Sequence, residues 1–422
     1  MDTEATATEV VSNYRWLALA VGALVQAVVA GAAWTIMPVL FYEISQPVPV
    51  GLGLSIVELG AIWGMFPLAV AFFCIPMGMG ADRYGVRLIV GIGVLVAAAG
   101  GALRGTSTGF APLLAWMFLF GVGYSTIGPN LPKMVGMWFR SKELGLASGI
   151  ILGSYGLGAG LAITFGGSYV SPALGGWRNT LYVLGALSLI IGILWVVAIR
   201  DRKTDAPAAT KTALAQAGLF DSIAVALKCR DVWLLVIVLF ASQGAFIGAI
   251  GFLPLYLMGK GLTQATSNAY VSILLYVFVA GAIIVPAISD RLGNRKRVFL
   301  VSFIVNGLAV MSTAFLTGPA LGLAFALWGF STGAVILCYV VPLEHPSLGP
   351  SFAGAVNGLL MAATFTGGFF SPILGNVIAE EAGGATAIVV WGGLFVFAAF
   401  VFLRVKETHP KGANKRSPEV VH

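Results

Sequence analysis

The chain has 422 residues, 58% of them hydrophobic and only 10% charged, and carries a formal net charge of +7. Roughly a quarter of a soluble protein's residues are charged, so this chain cannot clothe a water-facing surface, and its mean hydropathy of +0.94 points to lipid as the solvent. In lipid only helices and closed barrels satisfy the backbone, and the unbroken apolar runs here, about twenty residues or longer, are those of helices.

Taken in order, the runs predict membrane helices over 16–41, 57–81, 87–106, 111–137, 143–168 and 178–199. A polar stretch follows over 200–230, then six more helices over 232–257, 267–289, 296–317, 320–342, 352–378 and 385–404. The expected class is an all-α integral membrane protein with twelve transmembrane helices. Its expected division is an N-terminal six-helix half over 1–199, a cytoplasmic linker over 200–230, a C-terminal half over 231–406 and a cytoplasmic tail over 407–422. The 55 glycines suit close helix packing in a membrane. The odd set Cys74, Cys229 and Cys338 lacks metal-ligand spacing and reads as apolar filler. The polar, acidic segment 1–14 lacks a basic n-region and is not expected to act as a cleavable signal peptide.

Charge predicts orientation. With both termini inside, 21 of the 24 Lys and Arg fall in inner segments, and only Arg104, Arg178 and Lys260 fall outside. That bias obeys the positive-inside rule, so the net charge reflects topology in a plasma or inner membrane and not a nucleic-acid partner.

The chain also repeats itself. The loop after the second helix reads Gly78-Met79-Gly80-Ala81-Asp82-Arg83-Tyr84-Gly85-Val86-Arg87. The loop after the eighth reads Pro286-Ala287-Ile288-Ser289-Asp290-Arg291-Leu292-Gly293-Asn294-Arg295. Asp82 and Asp290 are 208 residues apart. Gly121 with Gly329, Gly145 with Gly354, Gly149 with Gly358 and Pro132 with Pro342 keep nearly that offset. Two parallel halves of this kind imply a solute path between them.

Asp-Arg-x-Gly-x-Arg after the second and eighth helices resembles the cytoplasmic signature loop of the major facilitator superfamily, over essentially residues 14–406. The resemblance implies two pseudo-symmetric six-helix halves, secondary transport of a small molecule by alternating access, and no enzymatic activity or cofactor. It also implies a latch that holds the opposite half when the cytoplasmic side is closed, with Gly78, Asp82, Arg83, Gly85 and Arg87 as its parts. Asp82 would then cap the eleventh helix near Pro350–Ala353, a favourable place for a carboxylate, and Arg83 and Arg87 would pair with Glu143. Asp290, Arg291 and Gly293 form the mirror copy, weakened by Pro286. The alternative is an ordinary charged loop that anchors topology.

Other motifs narrow the solute. The Gly-rich fifth helix, with Gly145, Gly149, Gly153, Gly156, Gly158 and Gly160, partly resembles the signature of nitrate/nitrite transporters, with Tyr155 and Leu157 where that signature has Asn. Close packing explains the same glycines. Proton-coupled drug exporters place an Arg four residues before a Gly-x-Gly in the fourth helix. This chain has Met117 before Gly121-Val122-Gly123, which counts against a drug antiporter. The stretch from Pro129 to Gly145 is similar to that of the cyanate and nitroimidazole permease group, which favours a small anion attracted by Lys133 or Arg140.

Thr126, Asn130 and Lys133 share one stripe of the fourth helix. Lys133 is a solute ligand, a snorkelling cation, or one side of a gate with Glu344, beside His345. Gln26 and Gln243 are near repeat mates in the first and seventh helices. With Tyr124, Asn130, Lys133, Tyr276 and Tyr339 they form the expected solute set; taken singly, the neutral side chains read first as helix–helix hydrogen bonds, as do Tyr155, Asn306 and Asn357, and the pairing of Gln26 with Gln243 is what raises the solute reading. The expected partners are a small solute, the bilayer, and a coupling proton or counter-substrate. Efflux of a lipophilic compound is the rival transport reading. An intramembrane enzyme would need a nucleophile–base set or metal ligands, and a sensor would need a soluble domain longer than 200–230.

Overall fold

A computed structural model describes residues 14–139, 141–201, 227–345 and 349–408, without the side chains of 141, 142 and 349–355. The expected linker and tail therefore fall largely outside the described residues, as does Arg140.

Among the described residues, twelve helices are long and apolar enough to span a membrane: α1 (Tyr14–Ser45), α2 (Ile56–Tyr84), α3 (Val86–Thr106), α4 (Phe110–Trp138), α5 (Glu143–Leu174), α6 (Trp177–Ala198), α7 (Arg230–Gly259), α8 (Gln264–Leu292), α9 (Arg295–Thr313), α10 (Gly318–Glu344), α11 (Val356–Ala382) and α12 (Gly384–Phe402). Every predicted span is present. Tyr14, Ala198, Arg230 and Phe402 mark one end of the bundle, termed here the terminal face; Ser45, Ile56 and Gly259 mark the opposite, far face.

Helix ends follow local chemistry. Ser55 and Glu58 form a reciprocal capping box at the start of α2, with bonds of 3.2 and 2.8 Å. Thr263 and Asn294 cap α8 and α9. The signature turns bend at Gly85 (φ +92°) and Gly293 (φ +62°), where a side chain would be strained.

Packing repeats with the sequence. The neighbours α1–α5, α2–α4, α3–α6 and α3–α4 have counterparts in α7–α11, α8–α10, α9–α12 and α9–α10, while α2–α11 and α5–α8 join the two bundles. The helices interrupted mid-membrane are also related. α4 breaks at Ser125–Thr126, because Pro129 offers no N–H to the Ser125 carbonyl. α10 passes through a 3₁₀ turn at Gly333–Val335, 208 residues on. The wide turn in α1, a π-helix over Val25–Ala32, is of the kind found at functional sites. Periodicity did not signal any of these interruptions.

The α5 glycines divide into two groups. A Cβ on Gly158 would lie 1.9 Å from the Ala27 carbonyl oxygen, whereas one on Gly145 would meet nothing within 4 Å. Gly158→Ala should therefore destabilise the bundle by about 1–3 kcal/mol, and Gly145→Ala should leave it unchanged. Thermal unfolding in detergent distinguishes them; equal melting temperatures would contradict the close α1–α5 approach.

Candidate functional site

At the far face the two bundles are bonded to each other. Trp63 Nε1 donates to the Ile247 carbonyl at 2.8 Å, Asn376 Nδ2 to Ile56 at 2.7 Å, and Gln264 Nε2 to Val39 at 2.9 Å. Asn268 Nδ2 donates to Ser168 Oγ at 3.1 Å, and the Thr164 and Tyr276 hydroxyls meet at 3.1 Å.

Toward the terminal face the seam opens. Along α5, Gly160 and Gly156 lie against Tyr276 and Val279 of α8, Gly153 has a looser contact with Val279, and Gly149 and Gly145 face open space. Along α2, Gly60 and Gly64 lie tightly against α11; the contact loosens but persists further on, where a Cβ on Gly358 would lie 3.4 Å from Ile75 and one on Gly128 3.5 Å from Met361, and Gly78 meets only Pro129 of its own bundle. α5 and α8 diverge and leave a cleft closed at the far end.

An aromatic cluster roofs this cleft. Trp34 stacks on Trp63 at 5.1 Å and on Phe66 at 4.8 Å, with Tyr124 and Tyr155 at 6.2 and 6.4 Å. The seal at Trp63 and the cluster are thus one continuous stack. Trp34 is 5% exposed, and its Nε1 is buried without an acceptor. The half-buried Tyr124 and Tyr155 direct no hydroxyl hydrogen bond to another described residue. On the opposite bundle, Gln243 and Asn357 each bury an unpartnered amide oxygen. Gln26, half-buried on the π-helix, is also unbonded among the described residues. Such atoms are costly to leave dry and suit a polar guest.

Of the expected solute set, Gln26, Tyr124, Gln243 and, through its Oδ1, Asn130 retain free polar atoms. The others, and the Asn130 amide nitrogen, are committed to neighbours. Asn130 is fully buried and donates to the carbonyls of Thr126 and Met77 at 2.8 and 3.3 Å, tying α4 to α2. Tyr276 bonds Thr164 at the seam, and Tyr339 bonds Thr364 at 3.0 Å.

With the terminal face open, the charges pair otherwise than the expected latch and gate would pair them. Lys133 does not meet Glu344; its Nζ bonds Asp82 Oδ1 at 2.6 Å and the Gly78 carbonyl at 2.8 Å. Glu344 instead pairs with Arg295 at 2.7 Å, which also holds Asp290 at 2.8 Å. Glu143 pairs with Arg15, not with Arg83 or Arg87. Arg87 donates to the Val196 carbonyl, and Arg83 lies over the Tyr84 ring. His345 bonds Asp231 at 3.2 Å. Each of these ion pairs stays within one bundle, because the cleft separates the opposite signs that would bridge it. A further pairing repeats: Asp201 accepts the Arg87 backbone N–H at 2.9 Å, and Glu407 accepts that of Arg295 at 3.1 Å. Each carboxylate caps the start of α3 or α9. Among the described residues no His, Cys, Asp and Glu cluster suits a metal.

The sequence of the chain matches the family model Major Facilitator Superfamily over residues 19–345. The chain belongs to the major facilitator superfamily. It is 21% identical over 395 residues to the hexuronate transporter of Bacillus subtilis, covering 87% of this chain and 90% of that one. It is 25% identical over 382 residues to a protein of Thermus thermophilus named as a probable nitrate/nitrite antiporter, covering 81% of each. Its fold matches the crystal structure of a bacterial homologue of the human lysosomal transporter Spinster in an inward-facing, unoccupied conformation, with a TM-score of 0.75, 18% identity, and coverage of 95% of this chain and 98% of that one.

Two side chains escaped the sequence reading. Trp34 sits in an unbroken apolar run that hides it. Arg104, assigned by charge counting to an external loop, is 0% exposed inside the bundle.

The Lys133–Asp82 pair gives a direct test. Lys133→Gln and Asp82→Asn should be non-additive in transport rate, while Lys133→Gln with Glu344→Gln should be additive. Both residues of the first pair are partly exposed, so the melting temperature should move little. Coupling between Lys133 and Glu344 instead would favour the gate between the bundles over the pair seen here.

Proposed function

We propose that this superfamily member is a secondary transporter that carries a small anionic solute, organic or inorganic, across the cytoplasmic membrane by alternating access, with both termini inside. The observation that carries the reading is the seam, bonded at one face and parted at the other around unpartnered donors and acceptors. Neutral hydrogen bonds in a membrane contribute about 0.6 kcal/mol each on average, so a seal of five is within reach of a population shift. The names of the hexuronate and nitrate/nitrite relatives both specify anions, which supports an anion here. A coupling proton or counter-substrate belongs to the same reading.

The solute is proposed to sit under the Trp34 cluster, between Gln26, Tyr124 and Tyr155 on one side and Gln243 and Asn357 on the other. The signature loop is proposed to latch the halves in the opposite state. Here, with the terminal face open, its Asp82 rests on Lys133. The charge bias supports the orientation, with the far face external.

Proteoliposomes given radiolabelled glucuronate or nitrate should show saturable uptake. Gly149→Leu should fold normally yet lower the rate at least tenfold, because the added side chain occupies the space that must close. Absence of uptake for both anions, with uptake of a lipophilic cation, would reverse the solute class. Orientation is checked separately: cysteines at Thr106 and Thr263 should react with an impermeant reagent in intact cells, and one at Ser222 should not.

A further inference from the structure

Arg104 is the buried charge that the transport reading above does not use. Its Nη2 donates to the Ala33 carbonyl at 2.9 Å, its Nε to Gly101 at 3.2 Å, and its Nη1 to Met117 Sδ at 3.7 Å. Its guanidinium carbon lies 4.4 Å from the Phe120 ring centroid. The other fully or nearly buried charged side chains, Arg295, Asp231 and His345, each face an ionisable partner. Arg104 has no carboxylate partner among the described residues.

That arrangement is costly if its purpose is only to brace α3 against α1 and α4. A neutral amide could donate to carbonyls there without bringing an ion out of water. The contacts also lead to the cleft. Ala33 directly precedes Trp34. Phe120 lies 5.7 Å from Phe66 and 6.4 Å from Tyr124, which form part of the roof. Met117 and Phe120 lie seven and ten residues inside α4, about 10–15 Å from the far face. Beneath the roof are the unpartnered Trp34 Nε1 and the tyrosine hydroxyls.

We propose that the Arg104 guanidinium acts as a specificity-determining residue, placing positive potential behind the Trp34 roof so that the cleft favours anions over neutral molecules of the same size. This rests on the cleft being the solute path. Arg104 does not touch the solute; it acts through a layer of packed rings that hold little water and few mobile dipoles to screen its field. The position also accounts for Met117. The basic side chain absent from α4 is supplied to the same place by α3, within contact distance of the Met117 sulfur.

Iodide and acrylamide, a charged and a neutral quencher, test this without knowledge of the physiological solute. The Trp34 signal is obtained as wild-type emission minus that of Trp34→Phe, at constant ionic strength, with the same subtraction made in each Arg104 background. One unit charge about 10 Å away in a medium of effective dielectric about 20 changes local anion concentration by roughly tenfold. The iodide-to-acrylamide quenching ratio should therefore fall about tenfold in Arg104→Gln, with acrylamide quenching unchanged. Arg104→Lys should keep most of the ratio. The exchange Arg104→Met with Met117→Arg should restore it, since the cation returns to the same place from α4. If Arg104→Gln does not fold, the exchange variant decides alone.

A wild-type ratio no higher than that of Arg104→Gln, or an exchange variant that folds, admits acrylamide and lacks the iodide excess, would overturn the proposal and leave Arg104 as a brace. The two readings fail separately. An intact iodide excess without transport of any anion would remove the transport assignment and leave the field, while anion transport with a flat ratio would do the reverse.

Discussion

The seal at the far face holds the rest of the structure in register. Trp63, Gln264 and Asn376 each reach across to a backbone carbonyl of the opposite bundle. Carbonyl acceptors within membrane helices already serve the helix ladder, so these are second bonds of modest strength. No ion pair supports them among the described residues. A seal built this way orders the cleft and still yields to a few kcal/mol, which is the scale on which a ligand redistributes two conformations. Because Trp63 also stacks on Trp34, breaking the seal must disturb the roof of the cleft. The proposed solute site and the far-face seal therefore share one aromatic stack.

At the terminal face the same physics is arranged differently. Strong charges are present, but each is held on its own side: Asp82 by Lys133, Glu143 by Arg15, Glu344 and Asp290 by Arg295. A carboxylate released in this state without a partner would favour collapse of the cleft. Parking it within its own bundle lowers the cost of opening. The capping of α3 by Asp201 and of α9 by Glu407 fixes the signature turn of each bundle independently of the seam. The turns can then move as parts of rigid bodies.

The repeat is structural as well as sequential, yet its copies have diverged where chemistry is concentrated. α1 carries the π-helix, the Gln26 amide and Trp34. Its mate α7 runs as a continuous helix and offers the Gln243 amide alone. The aromatic roof and the buried cation belong to the first bundle. The neutral amides of Gln243 and Asn357 belong to the second. A polar guest bound between them would meet donors and positive potential on one side and adaptable amides on the other.

Much of this was legible in the sequence. Twelve spans follow from hydropathy because lipid leaves the backbone no alternative to helices, and the two-fold repeat follows from Asp82 and Asp290 at matching turns. The family follows from those same turns. Which polar side chains remain free does not, because a pattern along one helix says nothing of the carbonyls beside it. Asn130 and Lys133 share a stripe that looks functional, but Met77, Gly78 and Asp82 of α2 claim them. Arg104 shows the limit most clearly. By charge counting it is one of three external cations; only the folding of α3 against α1 and α4 turns its long side chain inward, where the Ala33 and Gly101 carbonyls and the Phe120 ring receive it. Sequence alone determined the membrane, the helices and their duplication. Tertiary packing decided which charges pair, which face is sealed and which donors are left for a guest, because those depend on distances between helices that no local pattern encodes.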